Sequence, residues 1–500
     1  MAQMTRPGSE FSGLSVCVAG LGVSGPPAAR ALAALGATVT AVDSRADEPR
    51  RELAAELADA GITVLLGDGP AGPAAVLPAG TDLVVTSPGW RPDAPLLAAA
   101  SAAGVPVIGD VELAWRLRPV LADGTRQQWL AVTGTNGKTT TVRMLAAMLA
   151  AAGHRSIAAG NVGTSAVTAV TEADPYEVIA VELSSFQLHW SSTLRPFAAV
   201  VLNVAAHHLD WHGDIGSYAR DKGRVYAPGA VAVYNADDPR SGELAAMARE
   251  PAGVVAFRLG APGAGELGIS GGCLVDRAFG GASDGDGDGD GNRHGEAAGD
   301  GEGIILAAVS DVRPAAPHNI SDALAAAALA RAYGVPPAAV AAGLTAFRPD
   351  PHRISLVARV GEVDYIDDSK ATNPHAAAAS LAAYPSVVWV AGGLFKGADE
   401  DVDELVSSAA PRLRAVVLLG ADRARIRGAL ARHAPDVPVV EASGTDTGAM
   451  DTVVAAAARM AGPGDTVLLA PAAQSFDMFR DYPARGDAFA AAVRRLAGLS

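Results

Sequence analysis

The chain has 500 residues, a formal net charge of −15 at pH 7 and a pI near 5.1. This length suggests about three domains. An acidic chain offers no basic field for phosphate backbones, which excludes nucleic acid as its main partner. Two cysteines, Cys17 and Cys273, are too few for a disulfide framework and favour a reducing compartment.

The N-terminal sequence MAQMTRPGSEF lacks the basic and apolar regions of a signal peptide. No apolar stretch approaches the length that a membrane span needs. We therefore expect a soluble, cytoplasmic protein without membrane partners, and we expect it to act as a monomer.

Short apolar strands alternate with alanine-rich helices in the first block, residues 1–119. This alternation predicts an α/β domain with a parallel sheet. The predicted strands are Leu14–Ala19, Thr38–Val42, Thr63–Leu66 and Leu83–Thr86.

A GxGxxG sequence, Gly20 to Gly25, follows the first strand, and Asp43 ends the second. This pattern is typical of dinucleotide-binding domains, but it selects a diphosphate and a ribose rather than a nicotinamide. A UDP-sugar meets the same need, and a purely structural glycine turn also stays open. Ser87-Pro-Gly89 forms a second loop where a diphosphate could lie. No residues for hydride transfer follow, so NAD is the weaker interpretation.

The second block, residues 120–349, opens with a phosphate-binding pattern in which Ala131 to Thr141 read AVTGTNGKTTT. Glycine-rich backbone at a helix N-terminus can hold phosphates, Lys138 can reach the β/γ-phosphates, and the Thr139 hydroxyl can ligate Mg²⁺. Val132 replaces the first glycine of the strict GxxxxGK[ST] motif. The pattern predicts ATP as the cofactor, together with Mg²⁺.

Four later residues of this block are candidates with structural alternatives. Glu182 ends the apolar strand Val178–Val181 and suits Mg²⁺, because hard cations prefer carboxylate oxygen. His208 follows the strand Ala198–Asn203 and is as well explained by packing or by phosphate contact. Lys222, on a predicted helix, is an exposed helix lysine by default, and Asn319 an N-cap of the helix Ile320–Tyr333.

An acidic segment rich in glycine and aspartate interrupts the second block at residues 271–303. Its D-x-D-x-D-G sequence from Asp286 suggests a calcium loop, but position 12 is Ala297 instead of the glutamate that an EF-hand needs. Low complexity and acidity predict a disordered surface insertion that is dispensable for catalysis.

The third block, residues 350–500, is again α/β. Its predicted strands are Val363–Asp367, Val387–Ala391, Ala415–Leu419 and Thr466–Ala470. His352-Arg353 precedes the run DDSKATN, Asp367 to Asn373, which carries several polar residues beside one another.

Together the motifs resemble the Mur ligases, the ATP-dependent amide-forming enzymes of peptidoglycan precursor synthesis. The DSKATN run is similar to that of the member that adds D-glutamate to UDP-N-acetylmuramoyl-L-alanine. The resemblance implies an N-terminal Rossmann-like UDP-binding domain, a central P-loop ATPase-like domain with a mostly parallel sheet, and a C-terminal Rossmann-like α/β domain for the amino acid. The motifs that carry it are TGTNGKTT (133–140), GNVG (160–163), ELSSFQL (182–188), NVAAHHLD (203–210), YARDKGRVY (218–226), HN (318–319), HR (352–353) and DDSKATN (367–373).

The resemblance also implies roles for individual residues. For the UDP-linked substrate these are Gly22, Val23, Ser24, Gly25, Asp43, Ser44, Arg45, Ser87, Gly89, Asn161 and His208. For ATP they are Gly134, Thr135, Asn136, Gly137, Lys138, Thr139, Thr140, Asn319, Arg353 and Asp368. For the metal ion they are Thr139, Glu182, His208 and Lys222, the last as a carbamate. For D-glutamate they are Lys370, Thr372, Lys396, Ser475, Phe476 and Tyr482. Lys138, Glu182, His208 and Lys222 are the residues expected to act in catalysis.

Three other functions stay open. One is another amide ligase of the same family, such as one that adds glutamate to folate, and the GLGVSG and DSKATN sequences argue against it. Another is a nicotinamide-dependent oxidoreductase built on the first block. A third is a nucleotide-binding switch, for which the sequence shows no guanine-reading motif.

Overall fold

The computed structural model describes residues 7–67, 72–280, 303–395, 399–442 and 448–498. The chain divides into two compact units. The first unit comprises residues 1–312 and 321–347, and the second comprises residues 313–320 and 348–500. Among the described residues, no helix combines the length and apolar character that crossing a bilayer requires.

The N-terminal sheet of the first unit has five parallel strands in the order β3-β2-β1-β4-β5. Such connections need a crossover, and helices provide it. The elements are β1 Ser15–Ala19, α1 Gly25–Ala34, β2 Thr38–Asp43, α2 Glu48–Asp59, β3 Thr63–Leu66, β4 Leu83–Thr86, α3 Pro95–Ala102, β5 Val107–Gly109 and α4 Asp110–Leu117.

Both faces of this sheet are buried, because alternate side chains of β1 pack into different cores. Val16 and Val18 pack in one core with Leu32 of α1. Cys17 packs in the other with Leu96 of α3. Burial raises the pKa of the Cys17 thiol to about 12, so this cysteine acts as a packing residue at pH 7.

The central sheet of the first unit has nine strands in the order β14-β13-β12-β11-β10-β9-β6-β8-β7. It is parallel except at the edge formed by β12, β13 and β14. The elements are β6 Gln128–Thr133, α5 Lys138–Ala151, β7 Ser156–Gly160, α6 Ala166–Val170, β8 Val178–Glu182, α7 Ser185–His189, β9 Ala198–Val201, α8 Leu209–His212, α9 Ile215–Gly223, β10 Val231–Asn235, α10 Pro239–Ala246, β11 Gly253–Phe257, β12 Glu266–Ser270, β13 Cys273–Asp276, β14 Ile304–Ala308, α11 Pro317–Ala332 and α12 Pro337–Ala346.

The second unit contains a six-stranded sheet in the order β15-β16-β20-β17-β18-β19, parallel except for the β15–β16 pair. Its elements are β15 Ser355–Val360, β16 Val363–Asp367, α13 Pro374–Leu381, β17 Val387–Gly392, α14 Asp399–Ala409, β18 Leu413–Leu419, α15 Arg423–His433, β19 Val439–Glu441, α16 Ala449–Met460, β20 Thr466–Leu469 and α17 Tyr482–Leu496. The predicted fold class, three α/β blocks with mostly parallel sheets, is therefore confirmed.

Three details differ from the sequence-based expectations. The segment predicted as a disordered insertion, residues 271–303, begins with β13, whose Cys273–Asp276 pair with β12 and β14; residues 281–302 lie outside the described part of the chain. The prediction was wrong for 273–276, because the apolar Leu274 and Val275 are buried there. Asn319 does not cap a helix, since α11 already begins at Pro317. Residues 313–320 pack with the second unit, before the predicted boundary at 349/350.

Candidate active site

The phosphate loop, Gly134–Gly137, connects β6 to α5. Hydrogen bonds from this loop to a residue just after the end of β9, the neighbour of β6 in the sheet, hold it in place. Asn203, which follows β9, accepts hydrogen bonds through Oδ1 from the backbone nitrogens of Thr135 (3.1 Å) and Asn136 (2.9 Å). Gly137 has φ +84°, and a Cβ there would collide with the carboxylate of Asp322. The loop is therefore preformed, and Gly137 is required for both its conformation and its space.

Two lysines approach this loop from different helices. Lys138, at the start of α5, donates to the carbonyl oxygens of Gly134 (3.0 Å) and Thr135 (2.9 Å). Lys222, on α9, donates to the same Gly134 oxygen at 2.7 Å and is 1% exposed. Burial, reinforced by the charge of Lys138, lowers the pKa of Lys222 well below its ordinary value. The default interpretation of Lys222 as an exposed lysine is wrong.

Glu182, at the end of β8, joins the phosphate loop to the loop that follows β7. Its Oε2 accepts from the Thr139 hydroxyl at 2.8 Å, and its Oε1 accepts from the Asn161 amide at 3.0 Å. The carboxylate is nearly inaccessible, with Glu182 at 2% exposure. A hydroxyl and a carboxylate oxygen are thus placed side by side, which is a donor set for a hard cation.

His208 lies at the N-terminus of α8 with the left-handed backbone φ 55°, and its ring packs against Phe186 at 4.8 Å between centroids. Desolvation, with the charges of Lys138 and Lys222 acting in the same direction, lowers the pKa of His208 to about 4, although the residue still reaches solvent. The imidazole is therefore neutral at pH 7 and can act as a hydrogen-bonding or ligating group.

Asp221 precedes Lys222 on α9 and fixes this helix to two histidines of the central block. Asp221 Oδ2 lies 3.0 Å from Nδ1 of both His189 and His212, and His212 Nε2 lies 2.9 Å from the Ser185 hydroxyl. Burial alone would raise the pKa of Asp221, but the histidine hydrogen bonds outweigh it and lower the pKa to about 2. This network, which the sequence analysis did not detect, anchors α9 beside the phosphate loop.

A second feature of the first unit is a cavity of about 540 Å³ between the N-terminal and central sheets. Most residues predicted for the UDP-linked substrate line it, but Gly25, Ser44 and His208 do not. Those that do are Gly22, Val23, Ser24, Asp43, Arg45, Ser87, Gly89 and Asn161. The cavity is also lined by residues that the sequence analysis did not select, namely Gly20, Pro88, Trp90, Gly160, Gly163 and Gln187.

The glycine loop of this cavity is shaped by Asp43. The Asp43 carboxylate accepts from the backbone nitrogens of Leu21 (2.7 Å) and Arg45 (2.9 Å) and lies 3.5 Å from Nε of Arg50. Gly25 begins α1 so close to the Gly20 carbonyl that a Cβ would overlap it. Asp43 therefore organises the loop, in addition to the ribose contact that was predicted for it.

In the second unit, Arg353 and Asp368 lie close enough to interact electrostatically. Burial raises the pKa of Asp368 to about 6, while a hydrogen bond from Ser380 and the charge of Arg353 act in the opposite direction. Asn319 belongs to the same unit, and its Nδ2 donates to the carbonyl of Pro314 at 3.1 Å. These are the three residues of the second unit for which an ATP contact was predicted.

The residues predicted for D-glutamate are held together by Arg485, which the sequence analysis missed. Arg485 is 1% exposed and donates to the Ser369 hydroxyl (3.0 Å) and carbonyl (2.9 Å) and to the Ala473 carbonyl (3.0 Å). It thereby ties the loop after β16 to the loop after β20. Burial lowers the pKa of its guanidinium to about 10, so the charge persists at pH 7.

Lys370 and Tyr482 meet beside this anchor, with Nζ of Lys370 4.0 Å from the Tyr482 ring centroid. Thr372 donates its backbone nitrogen to the Lys370 carbonyl at 2.8 Å. Ser475 is buried, whereas Phe476 is 65% exposed. Lys396, the remaining predicted D-glutamate residue, lies outside the described residues.

The described residues contain no group of three or more His, Cys, Asp or Glu side chains arranged to hold a metal. The oxygens of Thr139 and Glu182 lie 2.8 Å apart beside the phosphate loop.

The structure is that of an α/β protein with a glycine-rich loop at the N-terminus of α5 and a cavity between the N-terminal and central sheets. Matching family models are "Mur ligase MurD-like, N-terminal domain" at residues 14–109, "Mur ligase middle domain" at 132–264 and "Mur ligase, glutamate ligase domain" at 352–473. The chain is 59% identical to the UDP-N-acetylmuramoylalanine–D-glutamate ligase of Thermobifida fusca, over 98% of this chain and 100% of the relative. It is 58% identical to the ligase of the same name from Streptomyces avermitilis, over 98% and 99%. The chain belongs to the Mur ligase family.

Solved structures share the fold. One is a pseudomurein peptide ligase type C from Methanothermus fervidus, with a TM-score of 0.55 and 17% identity over 97% of this chain and 100% of that chain. Another is the UDP-N-acetylmuramate-alanine ligase of Thermotoga maritima, with a TM-score of 0.52 and 19% identity over 97% and 99%. At these identities the likeness concerns the fold alone.

Proposed function

We propose that this chain ligates D-glutamate to UDP-N-acetylmuramoyl-L-alanine with cleavage of ATP to ADP and phosphate. The observation that carries the proposal is the position of Asn161. This residue lines the cavity beside the GLGVSG loop, and its amide donates to Glu182, which in turn accepts from Thr139 in the first turn of α5, next to the phosphate loop. A substrate in the cavity and a nucleotide on the loop would therefore meet at Asn161 and Glu182.

In the proposed first step, a carboxylate oxygen of the UDP-linked substrate attacks the γ-phosphorus of ATP. The bond from that phosphorus to the bridging oxygen breaks, ADP leaves and an acyl phosphate remains. In the second step, the amine of D-glutamate attacks the acyl carbon, loses a proton, and inorganic phosphate departs. The first step brings two anions together, so its barrier is largely electrostatic. Lys138 and Arg353 are the cations that we assign to offset it.

The Mg²⁺ ion that the family implies fits the donor set of this chain. We assign Thr139, Glu182, His208 and Lys222, the last as a carbamate, to hold it, with Asn161 orienting Glu182. When bound, the ion would neutralise charge on the phosphate oxygens. The chain's own part is to keep the carboxylate of Glu182 buried and oriented and to keep the His208 imidazole neutral.

Modification of Lys222 follows from its surroundings. Only a neutral amine can attack CO₂, and burial with the nearby Lys138 charge favours the neutral form. The neutral Nζ attacks the carbon of CO₂, so the Nζ–C bond forms while one C–O π bond breaks, and one proton leaves the nitrogen. The neutral amine beside the phosphate loop thereby becomes an anionic carbamate with two oxygen ligands. We therefore propose Lys222 as the carbamylated residue.

For the amino acid, we propose that Lys370 and Lys396 pair with the carboxylates of D-glutamate, with Thr372, Ser475, Phe476 and Tyr482 beside them. Asn319 and Asp368 would bind the nucleotide. We further propose that the enzyme is a monomer. The two free cysteines suit the reducing cytoplasm, where we place the reaction.

The test is phosphate release from ATP with UDP-N-acetylmuramoyl-L-alanine, Mg²⁺ and one amino acid at a time. We expect release with D-glutamate, little with L-glutamate, and equimolar formation of a new amide. A folate-type acceptor in place of the UDP-linked substrate tests the alternative amide ligase, and NAD(P)H absorbance tests the oxidoreductase. No amide product with either glutamate isomer would overturn the proposal.

A further inference from the structure

Asp110, the first residue of α4, is a buried carboxyl group that the proposed reaction does not use. It is 2% exposed and directly follows β5, the last strand of the N-terminal sheet. Its Oδ2 accepts from Nε2 of Gln187 at 3.2 Å, and the Ser24 hydroxyl also interacts with the carboxyl group. Ser24 and Gln187 both line the cavity, one from the N-terminal block and one from the central block.

The side-chain amide of Gln187 has a fixed orientation, because both its oxygen and its nitrogen make hydrogen bonds. Its Oε1 accepts from the backbone nitrogen (3.0 Å) and hydroxyl (3.2 Å) of Ser184, within the capping box of α7. Nε2 must therefore face Asp110, and one of its two N–H groups has no protein partner among the described residues. That N–H is available to a ligand in the cavity.

The carboxyl of Asp110 is not satisfied by this arrangement. Its Oδ1 is buried without a hydrogen bond of regular geometry. An incompletely paired buried carboxyl lowers stability, so a role in the site accounts for it better than a role in folding.

We propose that Asp110 is a positioning residue for the UDP-linked substrate. The carboxyl group of Asp110 aligns the Ser24 hydroxyl on one wall of the cavity with the Gln187 amide on the other wall. The inference rests on the proposed function, because it needs a substrate that spans both walls. It assigns to Asp110 the relative placement of the N-terminal and central halves of that site.

The same helix supplies a matched control. Glu112 is also fully buried and also bridges to the central block, where it accepts from the backbone nitrogens of Ser192 (2.9 Å) and Thr193 (3.0 Å). It further pairs with Arg116, whose Nη2 lies 2.8 Å from Oε1. Glu112 does not line the cavity. Its substitution should affect stability without affecting substrate affinity.

The experiment compares Asp110→Asn, Gln187→Ala, the double variant and Glu112→Gln in the full-length enzyme. Asp110→Asn removes the charge and replaces one acceptor oxygen by an NH₂ group, which cannot accept from the Ser24 hydroxyl or the Gln187 amide, so we expect the KM for UDP-N-acetylmuramoyl-L-alanine to rise about tenfold, with kcat and the KM for ATP little changed. Gln187→Ala should raise the same KM, and Asp110→Asn should add little in that background. Glu112→Gln should lower Tm and leave that KM unchanged.

Unchanged KM in Asp110→Asn, multiplicative effects in the double variant, or an equal rise in the KM for ATP would overturn the inference. Should Asp110→Asn not fold, Ser24→Ala and Gln187→Ala take its place: less than multiplicative effects on this KM in their double variant would support a coupling through Asp110, and multiplicative effects would overturn it. Failure of the wild type to bind the UDP-linked substrate in calorimetry would instead overturn the proposed function, and the inference with it.

Discussion

Lys138 and Lys222 donate to the same backbone oxygen, that of Gly134, at 3.0 and 2.7 Å from their Nζ atoms. Two ammonium groups on one oxygen repel each other, and Lys222 is the more deeply buried. Proton loss from Lys222 relieves the repulsion, which agrees in direction with its lowered pKa. The Gly134 carbonyl thus contacts two lysines to which we assign different roles. Lys138 is the cation that faces phosphate, and Lys222 is the amine that is carbamylated.

The first prediction concerns Lys222. Lys222→Ala removes the carbamate that we propose as a ligand, so kcat should fall by about 10²–10³-fold, the loss that follows removal of a strong electrostatic contact in the transition state. Formate or acetate should restore part of the activity by supplying carboxylate oxygen. The measurement is phosphate release against carboxylate concentration.

The matched control for Lys222 is Arg220→Ala, on the same helix two residues earlier, where the arginine is exposed and donates to the Ser217 hydroxyl. It should retain nearly full activity and show no response to carboxylates. Activity of Lys222→Ala equal to that of the wild type would refute the carbamate proposal.

The second prediction concerns Gly137. Gly137→Ala places a methyl group against Asp322 in a backbone conformation that L-residues avoid, so the phosphate loop should shift and the KM for ATP should rise at least tenfold. Gly153, at the other end of α5, has a similar φ of +89° with open space around it. Gly153→Ala should cost about 1 kcal/mol of stability without changing the KM for ATP. Equal KM values for the two variants would argue against a preformed loop.

Residues that belong to a local motif could be predicted from the sequence, because a motif fixes its own geometry. The glycine loop before α5 and the strand-end Glu182 both lie where the parallel-sheet rule places them. The strands β3, β4 and β16 have the predicted bounds. β3 and β4 are short apolar runs and β16 alternates apolar and polar residues, and each strand ends at a polar or glycine-rich turn.

Residues that act through distant partners could not be predicted. Arg485 joins two loops that are more than a hundred residues apart in sequence, and Asp110 meets Gln187 across 77 positions. A buried arginine or aspartate has no periodic signal, because its partner is chosen by the fold. Lys222 was interpretable only through the family resemblance, and its burial became evident only in the structure.

The third prediction concerns Glu182. Glu182→Gln keeps the size of the side chain but removes the charge beside Thr139, so we expect the Mg²⁺ requirement to rise and kcat to fall by about 10²-fold or more. Glu177→Gln is the control, since Glu177 lies just before the same strand, β8, with a side chain 49% exposed. The measurement is the initial rate against Mg²⁺ concentration. Equal Mg²⁺ dependence in both variants would contradict the assignment.

The fourth prediction follows from the raised pKa of Asp368. Below pH 3.8 the carboxyl is protonated in both the folded and unfolded states; between 3.8 and about 6 the folded state binds more protons. Stability from this group therefore falls as the pH rises through that window, by on the order of 3 kcal/mol in full. Because an amide does not ionise in this pH range, Asp368→Asn should remove the loss of stability that the ionisation of Asp368 causes. Its Tm should exceed the wild-type value at pH 7 but not at pH 3.5, and its KM for ATP should rise. A constant Tm difference across this range would contradict the prediction.

The last prediction compares the contributions of the Lys370 charge and the Tyr482 ring to D-glutamate binding. Lys370→Ala removes a cation that we assign to a carboxylate of D-glutamate, so the KM for D-glutamate should rise by about 10–100-fold while the KM for ATP stays within twofold. Tyr482→Phe keeps the ring that lies 4.0 Å from Nζ and should be nearly neutral, whereas Tyr482→Ala loses the cation–π contact and should raise the same KM less than Lys370→Ala. Lys396→Ala should also raise the KM for D-glutamate. Steady-state kinetics with D-glutamate as the varied substrate distinguish these outcomes, and an unchanged KM in Lys370→Ala would remove this lysine from the amino-acid site.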